Sequence, residues 1–443
     1  MSNYSDHRLL NFLRRAISKK SPEINSKFRS IKCCGSRILQ DASGRTPGVF
    51  ILQNEQAQTS KIWGQTSCNN SWGCPVCSAK IMNHHAARIT AAIDALHEQH
   101  QTAFMMTLTI PHRKNKVFEV TAADQFEIIY RAWRKFTAKC FHLTDKRNRD
   151  PLYMFTTTLN AWHKIRAAEA TWGPFNGWHI HFHCLIWVDD NKFDQVAGWE
   201  YDLRKSWEKV VLRTYNQYFA EIYPNRVIEF DGKQFTNDDL INYIWGNRNR
   251  NKSTKSEMLY FSKNKDGTIM KAQSSDYICG WGADREATGN RQRKASAENH
   301  LTPYQILEKA CNEKNPFYEN LFFEFLAATR TYKARRQRID YSRKGLKQII
   351  DNWMKTQKYH EFLKKKHEHA GNWRILCWFS KQQWFTICHS EYVLENILFA
   401  AAHLDYFHAW DFIYQYLILY DINIDQQPYN FYSDFVEKMF NAA

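Results

Sequence analysis

Apolar positions along the chain follow two periods. Near the start, Leu9, Phe12, Leu13 and Ile17 recur at helical spacing, with Arg14, Arg15, Lys19 and Lys20 around them. That predicts an amphipathic helix. Its apolar stretch is too short and too interrupted by charge for a signal peptide. The segment Ala103–Ile110 is apolar and ends at Pro111, which predicts a buried strand. Two further strand-like runs, Lys164–Trp172 and Trp178–Val188, flank the turn-rich Gly173–Gly177 and predict a β-hairpin. Beyond residue 301 the spacing becomes helical again, as at Leu394, Ile397, Leu398 and Ala401. There the aromatics Trp378, Trp384, Tyr406, Phe407 and Trp410 read as helical core and not as a stacking platform. No tandem repeat interrupts this order. Three parts are expected: 1–100 with an N-terminal helix and a cysteine cluster, 101–300 mixing strands and helices, and a mainly helical 301–443.

The second hairpin strand carries the most informative pattern. Alternate residues of a strand share a face. His179, His181 and His183 therefore lie on one side, and Trp178, Ile180, Phe182, Cys184, Ile186 and Val188 on the other. The second side is a core face and the first a row of imidazoles. Histidines two apart lie roughly 7 Å apart at Cα, within reach of one ion, whereas all three span roughly 13 Å. One ion should thus take two neighbours. With the loop centred on Phe175, antiparallel pairing places Glu169 opposite His181, on the same face. A slip by one residue would turn it away. Two imidazoles and a carboxylate leave coordination positions for phosphate oxygens and water, which suits Mg²⁺ or Mn²⁺, although imidazole also admits other transition metals. The plain alternative is that the histidines are structural.

Charge narrows the class of partner. The 443 residues carry a formal net charge of +16, which suits a polyanion. Basic runs at Arg248–Lys252, Arg291–Lys294, Lys333–Arg338 and Lys364–Lys366 read as several phosphate contacts along one track. No apolar run of about 18 residues appears, so no membrane span and a cytoplasmic location are expected. No Gly-rich loop ending in Gly-Lys-Ser/Thr is present, which excludes a helicase motor of that kind from this sequence.

Eleven cysteines in such a chain argue against a disulfide framework. Cys68, Cys74 and Cys77 fall within ten residues and include Cys-x2-Cys, the spacing at which two thiolates grip one tetrahedral Zn²⁺. A fourth ligand is expected from Cys33 or Cys34, with His84 and His85 as weaker competitors. A closed four-ligand site is structural, because no position remains for water.

At these residues the sequence resembles a family. Glu169-Ala-Thr171 followed by Gly177-Trp-His-Ile-His-Phe-His-Cys-Leu-Ile186 looks like the HUH motif (His, bulky hydrophobic, His) of plasmid rolling-circle replication initiators, in the group that also carries an N-terminal cysteine knuckle. Phe104–His112 resembles the family's first motif, and Trp72–Ile81 its Cys-Pro-x-Cys knuckle. Leu301–Leu307 and Tyr341–Lys347 resemble later landmarks, so the similarity runs in order from about Cys34 to Lys347. The resemblance implies an α+β HUH endonuclease, with an antiparallel sheet, flanking helices and an N-terminal zinc-knuckle module holding Cys34, Cys68, Cys74 and Cys77. It implies that a tyrosine attacks a scissile phosphate in single-stranded or hairpin origin DNA, forming a 5′-phosphotyrosine link and freeing a 3′-OH primer. His181, His183 and Glu169 would hold the catalytic ion. His179 would support them without binding it.

Tyr277, in Ser275-Asp-Tyr-Ile-Cys-Gly-Trp281, stands where the family's nucleophile is expected, with Glu286-Ala-Thr288 following. Gly280 replaces the lysine common three residues on, and Lys271 is the expected substitute cation. Tyr243 is the runner-up. A host helicase is the expected partner. Two competing readings are a transposase of the same nuclease class and a non-enzymatic zinc-knuckle DNA-binding protein.

Overall fold

The computed structural model describes residues 4–40, 48–54, 58–111, 120–138, 150–225, 227–246, 258–273, 300–330, 338–356, 374–389, 393–419 and 422. The strands in chain order are β1 (Val49–Asn54), β2 (Thr59–Trp63), β3 (Gln101–Thr109), β4 (Lys164–Gly173), β5 (Gly177–Asp189), β6 (Val227–Phe230), β7 (Lys233–Thr236), β8 (Leu259–Phe261), β9 (Ile339–Tyr341) and β10 (Arg374–Phe379). Helices and antiparallel strands make the chain α+β. No described helix is long and apolar enough to cross a membrane.

The chain forms two compact units: one from residues 1–70, 74–80 and 362–443, the other from 71–73 and 81–361. This departs from the expected division at 100 and 300, for a physical reason. Strand β10 hydrogen-bonds to β1, with Val49 opposite Phe379 and Phe50 opposite Trp378, so the last part of the chain completes the sheet of the first. Residues 301–356 instead belong to the unit that carries the histidines.

In the first unit the sheet order is β10-β1-β2. Val49, Ile51, Ile62, Leu376, Phe379 and Trp384 form its core with Leu394, Ile397, Leu398 and Ala401. The helical spacing of the last four is thereby accounted for in the helix Val393–His403. The aromatic expectation divides. Trp384 is buried, Trp378 sits on a strand, and Phe407 is 81 % exposed.

In the second unit the sheet order is β8-β3-β5-β4-β9, all neighbours antiparallel. The back face is the predicted apolar one. Trp178 stacks on Phe325 at 5.3 Å and Phe182 meets Tyr130 edge-on at 5.0 Å. The helices Ala122–Ala138 and Pro316–Arg330 supply these partners. Arg166 is buried on this face, its guanidinium 4.7 Å over both Tyr130 and Phe182, with Asp340 at 3.9 Å to balance its charge.

Landmarks in the sequence turn out to be local stop and start signals. Thr302 caps the helix Pro303–Glu313 with a reciprocal capping box through Gln305, and Pro303 follows at the first helical position. Pro111 ends β3 two residues after its last paired residue. Where β3 stops, the Gln125 amide takes over its role. It accepts from Ile180 N–H at 3.2 Å and donates to Trp178 C=O.

Candidate metal centre

The hairpin register decides the site. Strands β4 and β5 pair from Lys164↔Ile186 to Gly173↔Gly177, and Glu169 stands directly opposite His181. Gly177 closes the turn at φ 73°, a left-handed backbone that a side chain resists and glycine does not. Phe175 sits at the tip, 75 % exposed. Period-two alternation then places His179, His181 and His183 on the front face.

Glu169 Oε2 lies 3.1 Å from His181 Nε2 and 3.1 Å from His183 Nε2. One ligand atom from each of the three residues falls within 4.8 Å of the others. The His181 and His183 rings are 4.8 Å apart, and His179 and His181 are 4.9 Å apart. The three-residue cluster leaves His179 outside, as a flanking ring. Burial by itself raises the Glu169 carboxyl, but hydrogen bonds and charge from His181 and His183 outweigh it and hold the group well below the usual carboxylate range. A carboxylate kept ionised between two imidazoles can hold a divalent cation, and this mixed N/O set admits Mg²⁺ or Mn²⁺ as well as other transition metals.

The row is graded. His183 is buried, whereas His179, His181 and Glu169 are half-buried, so the cluster opens toward His179. Opposite His183 on β3 stands Thr107, itself buried, with Oγ1 3.2 Å from His183 Nδ1. Opposite Thr107 on β8 stands Tyr260, 38 % exposed, which gives the same face an aromatic ring. Sequence reading missed the roles of both. Thr107 was visible as a polar residue inside an apolar strand. Tyr260 lies on a three-residue strand with no periodicity to read.

A second cluster brings together Cys34, Cys68, Cys74 and Cys77. The sulfur pairs Cys34–Cys77, Cys68–Cys77 and Cys74–Cys34 are 3.4, 3.6 and 3.6 Å apart. That is close to the spacing of thiolates around one tetrahedral zinc, about 3.8 Å from a Zn–S bond of about 2.3 Å. Cys74 and Cys77 straddle the start of the helix Pro75–His97, whose positive end favours thiolate. Hydrogen bonds from Cys34, Cys68 and Cys74 pull the Cys77 thiol far down, while burial pushes Cys74 far up. Cys34, not Cys33, joins the cluster. His85 is engaged elsewhere: its Nδ1 lies 2.8 Å from the Tyr341 hydroxyl, and burial lowers its pKa to about 4.

Several expected residues stand apart from this picture. Tyr277, Glu286–Thr288 and the basic runs Arg248–Lys252, Arg291–Lys294 and Lys364–Lys366 lie outside the described residues. Tyr243 falls in the helix Asn237–Gly246, with its side chain outside the described set. The Lys271 ammonium sits 5.2 Å over the Phe193 ring. Of Lys333–Arg338 only Arg338 is described. It rests 5.0 Å over Trp72 and donates to Ala168 C=O at 3.3 Å, which is a packing role and not a solvated phosphate contact.

Comparison with curated proteins finds two relatives over the same modest extent. The chain is 30 % identical over 160 residues to "Protein rep" of Streptomyces lividans, covering 32 % of this chain and 33 % of that protein. It is 28 % identical over 158 residues to "Neomycin resistance protein" of Streptomyces cyanogenus, covering 31 % and 34 %. The matched stretch thus spans about a third of the length of either relative. No family model and no solved structure matches.

Proposed function

We propose that the chain initiates plasmid rolling-circle replication by nicking and rejoining single-stranded origin DNA. The observation that carries this reading is the convergence of Glu169 Oε2 on both imidazole Nε2 atoms at one end of an antiparallel sheet. The name of the Streptomyces lividans relative points the same way. Mg²⁺ or Mn²⁺ held by Glu169, His181 and His183 supplies Lewis acidity to the scissile phosphate.

The protein's own groups do the rest. Tyr277 is the nucleophile. Its oxygen bonds to phosphorus, the P–O3′ bond breaks, and the phenol proton passes to the departing 3′ oxygen. The products are a 5′-phosphotyrosine and a free 3′-OH, and the reverse exchange rejoins the strand. His179 flanks the ligands and supports their placement. The cysteine cluster holds a structural Zn²⁺ in the first unit. A host helicase separates the strands, since this sequence carries no Walker-type loop.

Nicking is tested on single-stranded oligonucleotides tiled across a candidate origin, in Mn²⁺ and then in EDTA. Cleavage in Mn²⁺ alone is expected, with a covalent adduct mapping to the Tyr277 peptide. Adduct retained by Tyr277→Phe moves the nucleophile elsewhere, to Tyr243 first. Tight binding without cleavage on any candidate origin leaves a DNA-binding module.

A further inference from the structure

The first unit holds a groove whose walls trace back to the thiol cluster. The segment after Cys34 pairs with the segment before Cys68: Gly35 N–H donates to Thr66 C=O, Leu39 N–H to Gly64 C=O, and Thr66 N–H to Arg37 C=O, at 2.7–2.9 Å. The facing wall is the start of the helix Lys381–His389. Ser380 and Gln383 cap that end reciprocally, and buried Trp384 donates from Nε1 to Gly35 C=O at 2.9 Å. Both walls are thus anchored at Gly35, beside the metal-type cluster.

Between them lies a groove of about 910 Å³. Arg37 and Lys381 give it two exposed cations, and Gln40 and Gln382 give it amides. Leu39 and Phe385 stand 45 % and 58 % exposed. Among the described residues the lining contains no carboxylate. The contrast is a groove in the second unit lined by Arg131, Arg134 and Lys135. There Glu127 and Glu221 each approach Arg131 to 2.6 Å and neutralise it.

We propose that the Arg37–Phe385 groove binds single-stranded DNA. The inference rests on reading the chain as a DNA-handling protein. Exposed cations such as Arg37 and Lys381 attract phosphates. An exposed ring stacks a base only when that base is unpaired, which selects a single strand over a duplex. The side-chain amides are placed to hydrogen-bond base edges. The thiol cluster would then act indirectly, by holding the wall that carries Arg37 and Leu39.

The test uses the full chain with the histidine cluster silenced by His181→Ala and His183→Ala, so that binding there does not mask the groove. Affinity for a 30-nucleotide single strand, and for the duplex of the same sequence, is read by fluorescence anisotropy across a salt series. Phe385→Leu keeps an apolar side chain and loses the ring. It should weaken single-strand binding about tenfold and duplex binding little. Arg37→Ala with Lys381→Ala should lower the slope of log affinity against log salt by about 0.7 for each cation removed. An iodouracil-substituted strand should crosslink to the Phe385 peptide. Unchanged zinc content shows that each variant folds. Unchanged affinity and slope in zinc-replete variants overturns the proposal, as does equal loss on duplex. Nicking is scored separately on the unsilenced chain, so its failure and the failure of the groove remain distinct results.

Discussion

Thr107 Oγ1 stands 3.2 Å from His183 Nδ1, while Nδ1 of His181 is buried with no hydrogen-bond partner among the described residues. The two histidines beside Glu169 are therefore held unequally. His183 has its far nitrogen engaged, which fixes ring orientation so that Nε2 faces Glu169. His181 is held instead by strand geometry, Glu169 and the flanking rings of His179 and His183.

Removing that support should show in metal affinity. Thr107→Val keeps the shape and deletes the hydroxyl. It should weaken Mn²⁺ binding by about 10- to 100-fold, with nicking falling in step, while Thr107→Ser restores most of the loss. Titration followed by Mn²⁺ electron paramagnetic resonance measures this without DNA. Equal affinity in wild type and Thr107→Val would mean the contact is incidental.

Adjacent cysteines separate the clustered thiol, Cys34, from its neighbour Cys33. Cys34→Ser should bind less than one equivalent of zinc and lower the melting temperature of the first unit. Cys33→Ser should remain zinc-replete, because its sulfur lies outside the cluster. Metal analysis of the two purified variants distinguishes them, and an identical zinc deficit in both would contradict the geometry.

His85 predicts a pH dependence of stability. Burial first, and then the nearby charges of His84, Arg88 and Arg338, lower its pKa from 6.5 to about 4. Between these values the unfolded chain binds more protons than the folded one. Stability is therefore constant above about pH 6.5 and falls as pH drops toward 4. The loss from this one group is roughly 2–3 kcal/mol over the window. Urea unfolding at pH 7 and pH 5 should show a smaller difference for His85→Gln than for wild type.

Gln125 predicts a cost at the open end of the histidine row. Gln125→Leu leaves the Ile180 N–H and Trp178 C=O without their partner. The expected destabilisation is about 1–3 kcal/mol, read from the denaturant midpoint. A midpoint within error of wild type would show that water replaces the amide.

The readable part of the fold was the part with strong local grammar. Period-two alternation and a loop of Gly, Pro and Asn fixed the face and register of the hairpin, and with them Glu169 opposite His181. Strands β8 and β9 are three residues each, too short for a period, so their pairing with β3 and β4 depends on tertiary contacts. The β1–β10 pairing joins residues more than 300 positions apart, and no local pattern encodes such a partner. Neighbouring cysteines have the same local chemistry, so only the turn at residues 33–36 separates Cys34 from Cys33.

That β1–β10 ladder also orders events during synthesis. A ribosome emits β1 early and β10 only after residue 374, when all of the histidine-bearing sheet has already left the exit tunnel. The intervening unit can close its own contacts first, whereas β1 waits with an unpaired edge exposed. A chain truncated before β10 would keep the residues of the histidine sheet but leave β1 permanently available to pair with another molecule.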